Sequence, residues 1–220
     1  MSVAFNLEKL YREIPTHVKI VAVSKTMPAD AILEAYNAGH RLFGENKSQE
    51  LISKQPQLPQ DMLWHFIGHL QTNKVKYIAP FIEMIESVDS LKLLQEIDKQ
   101  AEKNGRVIKC LLQFHIATEE TKFGLDLEEA NALLDSVEYH SLKNVSICGV
   151  MGMASFTDDT DLVRREFRSL KAMESQLRDK FFKERPEFCE ISMGMTGDYR
   201  LAIEEGSTIV RIGTGIFGTR

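Results

Sequence analysis

Cysteine is scarce in this chain: three among 220 residues, at Cys110, Cys148 and Cys189, with no C-x-x-C pair. That spacing excludes a disulfide-stapled miniprotein and a cysteine zinc site. Each thiol sits in an apolar run, which predicts reduced, buried cysteines in a cytosolic protein. A basic surplus is also missing. Lys and Arg number 27 against 32 Asp and Glu, a formal charge of −5, so no basic surface points to nucleic acid. No apolar run approaches the roughly eighteen residues of a membrane span. The opening MSVAFNLEKLYREIP lacks the basic-then-apolar order of a signal peptide. Internal repeats, low-complexity stretches and linkers are absent as well. The expectation is one cytoplasmic domain over residues 1–220.

What is present is ordinary globular material. Apolar residues make up 43% and charged residues 27%, enough for a sizeable core without a staple. A short helix is expected from Asn6 to Glu13, stopped by Pro15. Beyond it, short apolar or β-branched runs alternate with longer segments of helical period. The runs predict strands at Val18–Val23, Arg41–Phe43, Leu63–Ile67, Ile82–Glu86, Val107–Phe114, Val145–Val150, Phe188–Ile191 and Thr208–Arg211. Leu91, Leu94, Ile97 and Ala101 mark one amphipathic helix; Val163, Phe167, Leu170, Leu177 and Phe181 mark the longest. Asp30 after Pro28, Asp89-Ser90, Asp126 and Asp158-Asp159 signal helix starts. Nearly all-apolar strands suit a parallel sheet covered by helices. An open doubly wound sheet stays possible at this level, but eight regular β/α units fit a closed (β/α)8 TIM barrel better.

In such a barrel the chemistry sits where the strands end. The first strand ends Ser24-Lys25-Thr26, offering either a solvated surface lysine or an amine for Schiff-base chemistry. The second ends Phe43-Gly44-Glu45-Asn46, where Asn46 is either an ordinary loop residue or an amide at the mouth. His65 and His69 have the four-residue spacing of a helical metal pair. They lie on a strand broken by Gly68, however, and no Glu follows His65, so packing or hydrogen bonding is the better reading. Lys122-Phe123-Gly124 and Gly149-Val150-Met151 end two further strands. Ser192-Met193-Gly194-Met195-Thr196-Gly197-Asp198 and Gly213-Thr214-Gly215 follow strands seven and eight, the usual phosphate position of these barrels, with a helix expected to start near Thr196. Gly213 to Gly218 spells G-x-G-x-x-G, but the helix and distant acidic residue of a dinucleotide site have no room to follow.

A lysine ending strand one and a phosphate cradle after strands seven and eight is a pyridoxal phosphate layout. The chain resembles the pyridoxal 5′-phosphate homeostasis proteins, relatives of the N-terminal barrel of alanine racemase. The resemblance is carried in order by AVSKTMP (Ala22–Pro28), FGEN with Gln49-Glu50, WHFIGHLQTNK (Trp64–Lys74), TKFG (Thr121–Gly124), GVM (Gly149–Met151), SMGMTGD (Ser192–Asp198) and VRIGTGIFG (Val210–Gly218). It implies that Lys25 carries the internal aldimine with pyridoxal phosphate. It implies too that Thr196, Gly213 and Thr214 hold the phosphate, that Arg211 faces the pyridine nitrogen and that Asn46 lies beside the ring. Two positions depart from the family pattern: Thr196 stands where Ser is usual, and Gln113-Phe114-His115-Ile116 replaces a more polar strand end.

A guanidinium only donates and stays charged, so Arg211 would keep the pyridine nitrogen unprotonated and the ring a weak electron sink. The resemblance therefore implies a non-catalytic, monomeric carrier that buffers the aldehyde and passes it to apo-enzymes. An amino-acid racemase and a cofactor-free Schiff-base aldolase are the competing readings. Racemisation needs an acid/base group on each face of the substrate carbon. In alanine racemases that second group is a tyrosine from a further domain, which a chain ending at Arg220 is expected to lack. Of the tyrosines, Tyr199 alone falls near a predicted strand end.

Overall fold

The alternation of apolar runs and helical period resolves into a parallel barrel wrapped by helices. The computed structural model describes residues 2–118 and 123–218. In chain order the elements are α1 (Val3–Glu13), β1 (Lys19–Val23), α2 (Ala29–Asn37), β2 (Leu42–Glu45), α3 (Ser48–Lys54), β3 (Leu63–Phe66), α4 (Thr72–Ile78), β4 (Met84–Val88) and α5 (Leu91–Lys103). There follow β5 (Ile108–Phe114), α6 (Leu127–Asp135), α7 (Val137–Ser141), β6 (Val145–Gly152), α8 (Thr160–Phe181), β7 (Glu190–Met195), α9 (Tyr199–Glu204), β8 (Ile209–Ile212) and α10 (Thr214–Phe217). Neighbouring strands pair in sequence order, and β8 closes on β1 with Val21 opposite Arg211 and Ala22 opposite Ile212.

Local chemistry sets the helix starts. Ser2 Oγ accepts from Phe5 N at 3.3 Å, so α1 begins three residues earlier than the apolar period suggests. Ser90 caps α5, Asp159 caps α8, and Asp126 with Glu129 forms a reciprocal capping box on α6. Asp30 does not cap α2; Pro28 takes that position and Asp30 sits in the first turn. Among the described residues no helix is long and apolar enough to cross a membrane.

Strands β2 and β8 begin one residue later than their apolar runs imply, and β4 and β7 begin two residues later. β4 is shifted because Ile82, although fully buried, sends its N–H back to Ile78 O at 2.9 Å and so still belongs to the exit from α4. β7 is shifted because Phe188 stacks on Phe182 at 4.1 Å between ring centroids, packing a loop rather than starting a strand. Its far end continues through Gly194 to Met195, with a register irregularity between Ser192 and Met195 where the sequence suggests a loop.

Side chains alternate between two apolar layers. The larger lies between strands and helices and holds Phe43, Trp64, Phe66, Phe114 and Phe167. The smaller fills the barrel with Val21, Met84, Leu111, Cys148, Met151 and Ile209. An irregularity in the β5–β6 register lets Cys148 join that inner layer. The next residue, Gly149, takes φ 152°, and a Cβ there would lie 1.8 Å from Glu190 O, so only glycine fits. The thiols divide accordingly. Cys110 and Cys148 are buried, and burial pushes the Cys110 thiol well above its ordinary value. Cys189 is exposed, contrary to the expectation from its apolar run: it follows buried Phe188 just before β7, and the alternation turns it outward.

Candidate functional site

Closure of β8 on β1 makes β7, β8, β1 and β2 four consecutive staves of the barrel. The expected site residues all stand at their C-terminal ends. Val23 pairs with Gly44, so Lys25 and Asn46, each two residues further on, leave the sheet side by side. Val21 pairs with Arg211, and Gly213, two residues on, comes level with Val23. A Cβ on Gly213 would meet Val23 at 3.5 Å. Met195 pairs with Arg211, which brings Thr196 alongside.

Lys25 is exposed at the mouth, on a turn of unusual backbone. Thr26 has φ 64°, a left-handed conformation costing about 1–3 kcal/mol for a side chain of this kind. Its N–H donates to Glu50 Oε1 and its hydroxyl to Lys25 O at 2.5 Å. Below the turn, buried Lys54 donates to Ser24 O, Glu45 Oε1 and Glu50 Oε1 at 2.8, 2.8 and 2.6 Å. The two carboxylates of this cluster differ. Burial pushes Glu45 up despite its bonds from Lys54 and Ser24. Burial would raise Glu50 as well, but hydrogen bonds from Lys54 and the Thr26 amide outweigh it and hold it low.

Asn46 is half-buried, and its Oδ1 is enclosed with no hydrogen-bond partner among the described residues. Such an orphaned acceptor is rare in a folded chain unless something else occupies the space beside it. Gly68 fixes the Asn46 backbone by close approach, since a Cβ there would lie 2.2 Å from Asn46 O.

The cradle is built by two loops. Thr196 Oγ1 accepts from the N–H groups of Gly213 and Gly215, each at 3.3 Å. Gly197 has nothing within 4 Å of where a Cβ would be, and Thr214 is exposed at the start of α10. Backbone amides and hydroxyls gathered on two loops, with open space at Gly197, suit an anion such as a phosphate. The helix after Thr196 starts only at Tyr199 and has six residues, so the backbone amides carry the cradle.

Arg211 sits beneath, 3% exposed. Its Nη1 donates to Ser192 Oγ at 2.5 Å and its Nη2 to Gly152 O at 2.9 Å. Ser192 Oγ donates in turn to Glu86 Oε2 at 2.5 Å, and His65 Nδ1 bonds Glu86 Oε1 at 2.6 Å. Burial pulls Arg211 below the usual guanidinium value, against the opposing charges of Glu86 and Asp198. Burial would raise Glu86, yet bonds from His65 and Ser192 and the charges of His65 and Arg211 hold it below the usual carboxylate range. The result is a charge-compensated floor, His65–Glu86–Ser192–Arg211, under the mouth.

The structure brings together Lys25, Asn46, Thr196, Arg211, Gly213 and Thr214. It separates others. His65 faces Glu86, while His69 bonds Asp89 Oδ2 at 3.2 Å and stacks on Phe123 at 4.2 Å. Tyr199 is turned away from the mouth, its hydroxyl donating to Glu13 Oε2 at 2.8 Å. Met151 packs in the barrel interior. Thr121 and Lys122 lie outside the described residues. Glu45, Glu50 and Ser192 lie inside motifs that the sequence singles out but are given no role there, and Glu86 and Lys54 escape the sequence reading. The one signal for them was an acid, Glu86, closing an apolar run.

The family model described as alanine racemase, N-terminal domain matches residues 2–220. A pyridoxal phosphate homeostasis protein of Aquifex aeolicus is 40% identical over 203 residues, covering 92% of this chain and 87% of that one. The human pyridoxal phosphate homeostasis protein is 37% identical over 220 residues, covering 95% and 79%. Among solved structures, PipY of Synechococcus elongatus with PLP bound superposes with a TM-score of 0.89 at 36% identity, covering 99% of this chain and 100% of that one.

Proposed function

Since this chain belongs to the alanine racemase N-terminal-domain family, with pyridoxal phosphate homeostasis proteins as its relatives, we propose that it binds pyridoxal 5′-phosphate on Lys25 and holds the cofactor for delivery rather than turning it over. The observation that carries this reading is the meeting of an exposed lysine, a two-loop anion cradle and a buried arginine on four adjacent strand ends. Bound there, the cofactor supplies an aldehyde whose carbon forms a C=N bond with an amine nitrogen, its oxygen leaving as water.

The residues divide the work. Lys25 presents the amine. Thr196, Gly213 and Thr214 receive the phosphate, and the neighbouring Gly215 amide lies in the same cradle. Asn46, whose Oδ1 has no partner among the described residues, would lie beside the ring. Arg211 directs donors and a positive charge toward the ring nitrogen, holding a proton off it. An unprotonated ring draws electrons weakly, which supports storage over amino-acid chemistry. The reading takes residues 1–220 as one domain acting as a monomer, with apo-enzymes that need the cofactor as its partners.

The test is spectroscopic and chemical. Purified protein with pyridoxal phosphate should be yellow, and borohydride should fix the label on Lys25 in a peptide map. A colourless protein, or a label on a different lysine, overturns the assignment.

A further inference from the structure

The amine of Lys25 hangs from a stretch of chain that the sheet no longer holds. Ser24 N–H makes the last bond to β2, reaching Gly44 O at 3.0 Å. One buried ion cluster takes over from there. It grips the peptide groups on both sides of Lys25: Ser24 O accepts from Lys54 Nζ, and Thr26 N–H donates to Glu50 Oε1. Lys54 also donates to that same Glu50 oxygen, so the two grips are joined. Its remaining proton goes to Glu45 Oε1, which Ser24 Oγ bonds as well at 2.6 Å. An ammonium has three protons, and all three of Lys54 are engaged by acceptors just after β1, on β2 and on α3.

We propose that Lys54, acting through Glu50, is a positioning residue that sets the Lys25 amine for covalent capture of the cofactor aldehyde. The inference rests on the reading of Lys25 given above and adds its determinant. A lysine side chain is long and flexible, so the direction of the backbone it leaves from is one determinant of where its amine points. Here that backbone is left-handed at Thr26, a conformation that persists only where its surroundings hold it. Full engagement also keeps Lys54, itself buried, from competing as a second amine.

Two ligands separate aiming from binding. Pyridoxal phosphate carries the aldehyde; pyridoxine phosphate has the same ring and phosphate with an alcohol in its place. In Lys54→Met and Glu50→Leu, borohydride-trapped labelling of Lys25 should slow at least tenfold, while affinity for pyridoxine phosphate stays within twofold. Glu50→Gln, which keeps an oxygen for the Thr26 amide, should restore most of the rate. Without cofactor, the Thr26 amide should exchange hydrogen at least tenfold faster in Glu50→Leu than in wild type. Glu50 is partly exposed, so the Glu50 pair decides the matter should Lys54→Met fail to fold. Unchanged labelling, parallel weakening of both ligands, or Gln no better than Leu overturns the inference. A wild-type chain unlabelled at Lys25 instead overturns the cofactor reading beneath it.

Discussion

Glu86 shows what a single buried carboxylate does in this barrel. It is fully enclosed, bonded by His65 and Ser192, with Arg211 Nη1 at 3.8 Å. Removing one partner of a buried ionic group typically costs about 3–5 kcal/mol, because the other charge is left uncompensated. Glu86→Gln should therefore lower unfolding free energy by about that amount at pH 7, read by urea titration. The pH dependence has a definite sign. A carboxyl held low in the fold contributes stability above its unfolded value, near 4.5, and loses it as pH falls further. The gap between wild type and variant should thus be widest at neutral pH and shrink below about 4.5. A gap constant from pH 7 to 3.5 would mean that the ionised form does not hold the network together.

Loops at the mouth are governed by the elements behind them, and α8 is the clearest case. Glu166 on α8 is 4% exposed and accepts from Thr118 N at 3.1 Å, Ser155 N at 2.7 Å and Ser155 Oγ at 2.7 Å. One side chain thereby fastens the segments following β5 and β6. Glu166→Ala orphans the buried Ser155 N–H, while Thr118 N–H keeps Ser155 Oγ at 3.2 Å; this should cost about 1–3 kcal/mol in urea unfolding and speed proteolysis near Ser155. Equal cleavage rates would show that those segments are held by something else. This scale also marks the limits of reading the sequence. Eight strands were legible because buried parallel strands are apolar throughout. Their ends were not: Ile82 and Phe188 are as apolar as any strand residue, and only their backbone bonds place them in connections. Lys25, Asn46 and the cradle were legible because each ends its own strand. The His65–Glu86–Ser192–Arg211 floor was not, since it depends on which strands face one another across the barrel.

For the molecule as a whole, the question is whether the mouth contains what turnover would need. All five tyrosines lie on helices. Tyr11, Tyr36 and Tyr199 commit their hydroxyls to His40, Asp61 and Glu13. On the proposed storage reading, Lys25 has no second acid/base group opposite it to return the proton. Incubating the cofactor-loaded protein with L-alanine should give no D-alanine above the rate of free pyridoxal phosphate, measured by chiral chromatography. Turnover that vanishes in Lys25→Ala would replace storage by catalysis.

The pairing of β8 with β1 also has a meaning in time. On a ribosome adding about 5–20 residues per second, Lys25 is made some ten to thirty seconds before Thr196. During that interval a growing chain has an amine but no cradle to bring an aldehyde to it. Cofactor capture at the proposed site then reports on folding, waiting until the first and eighth strands have met.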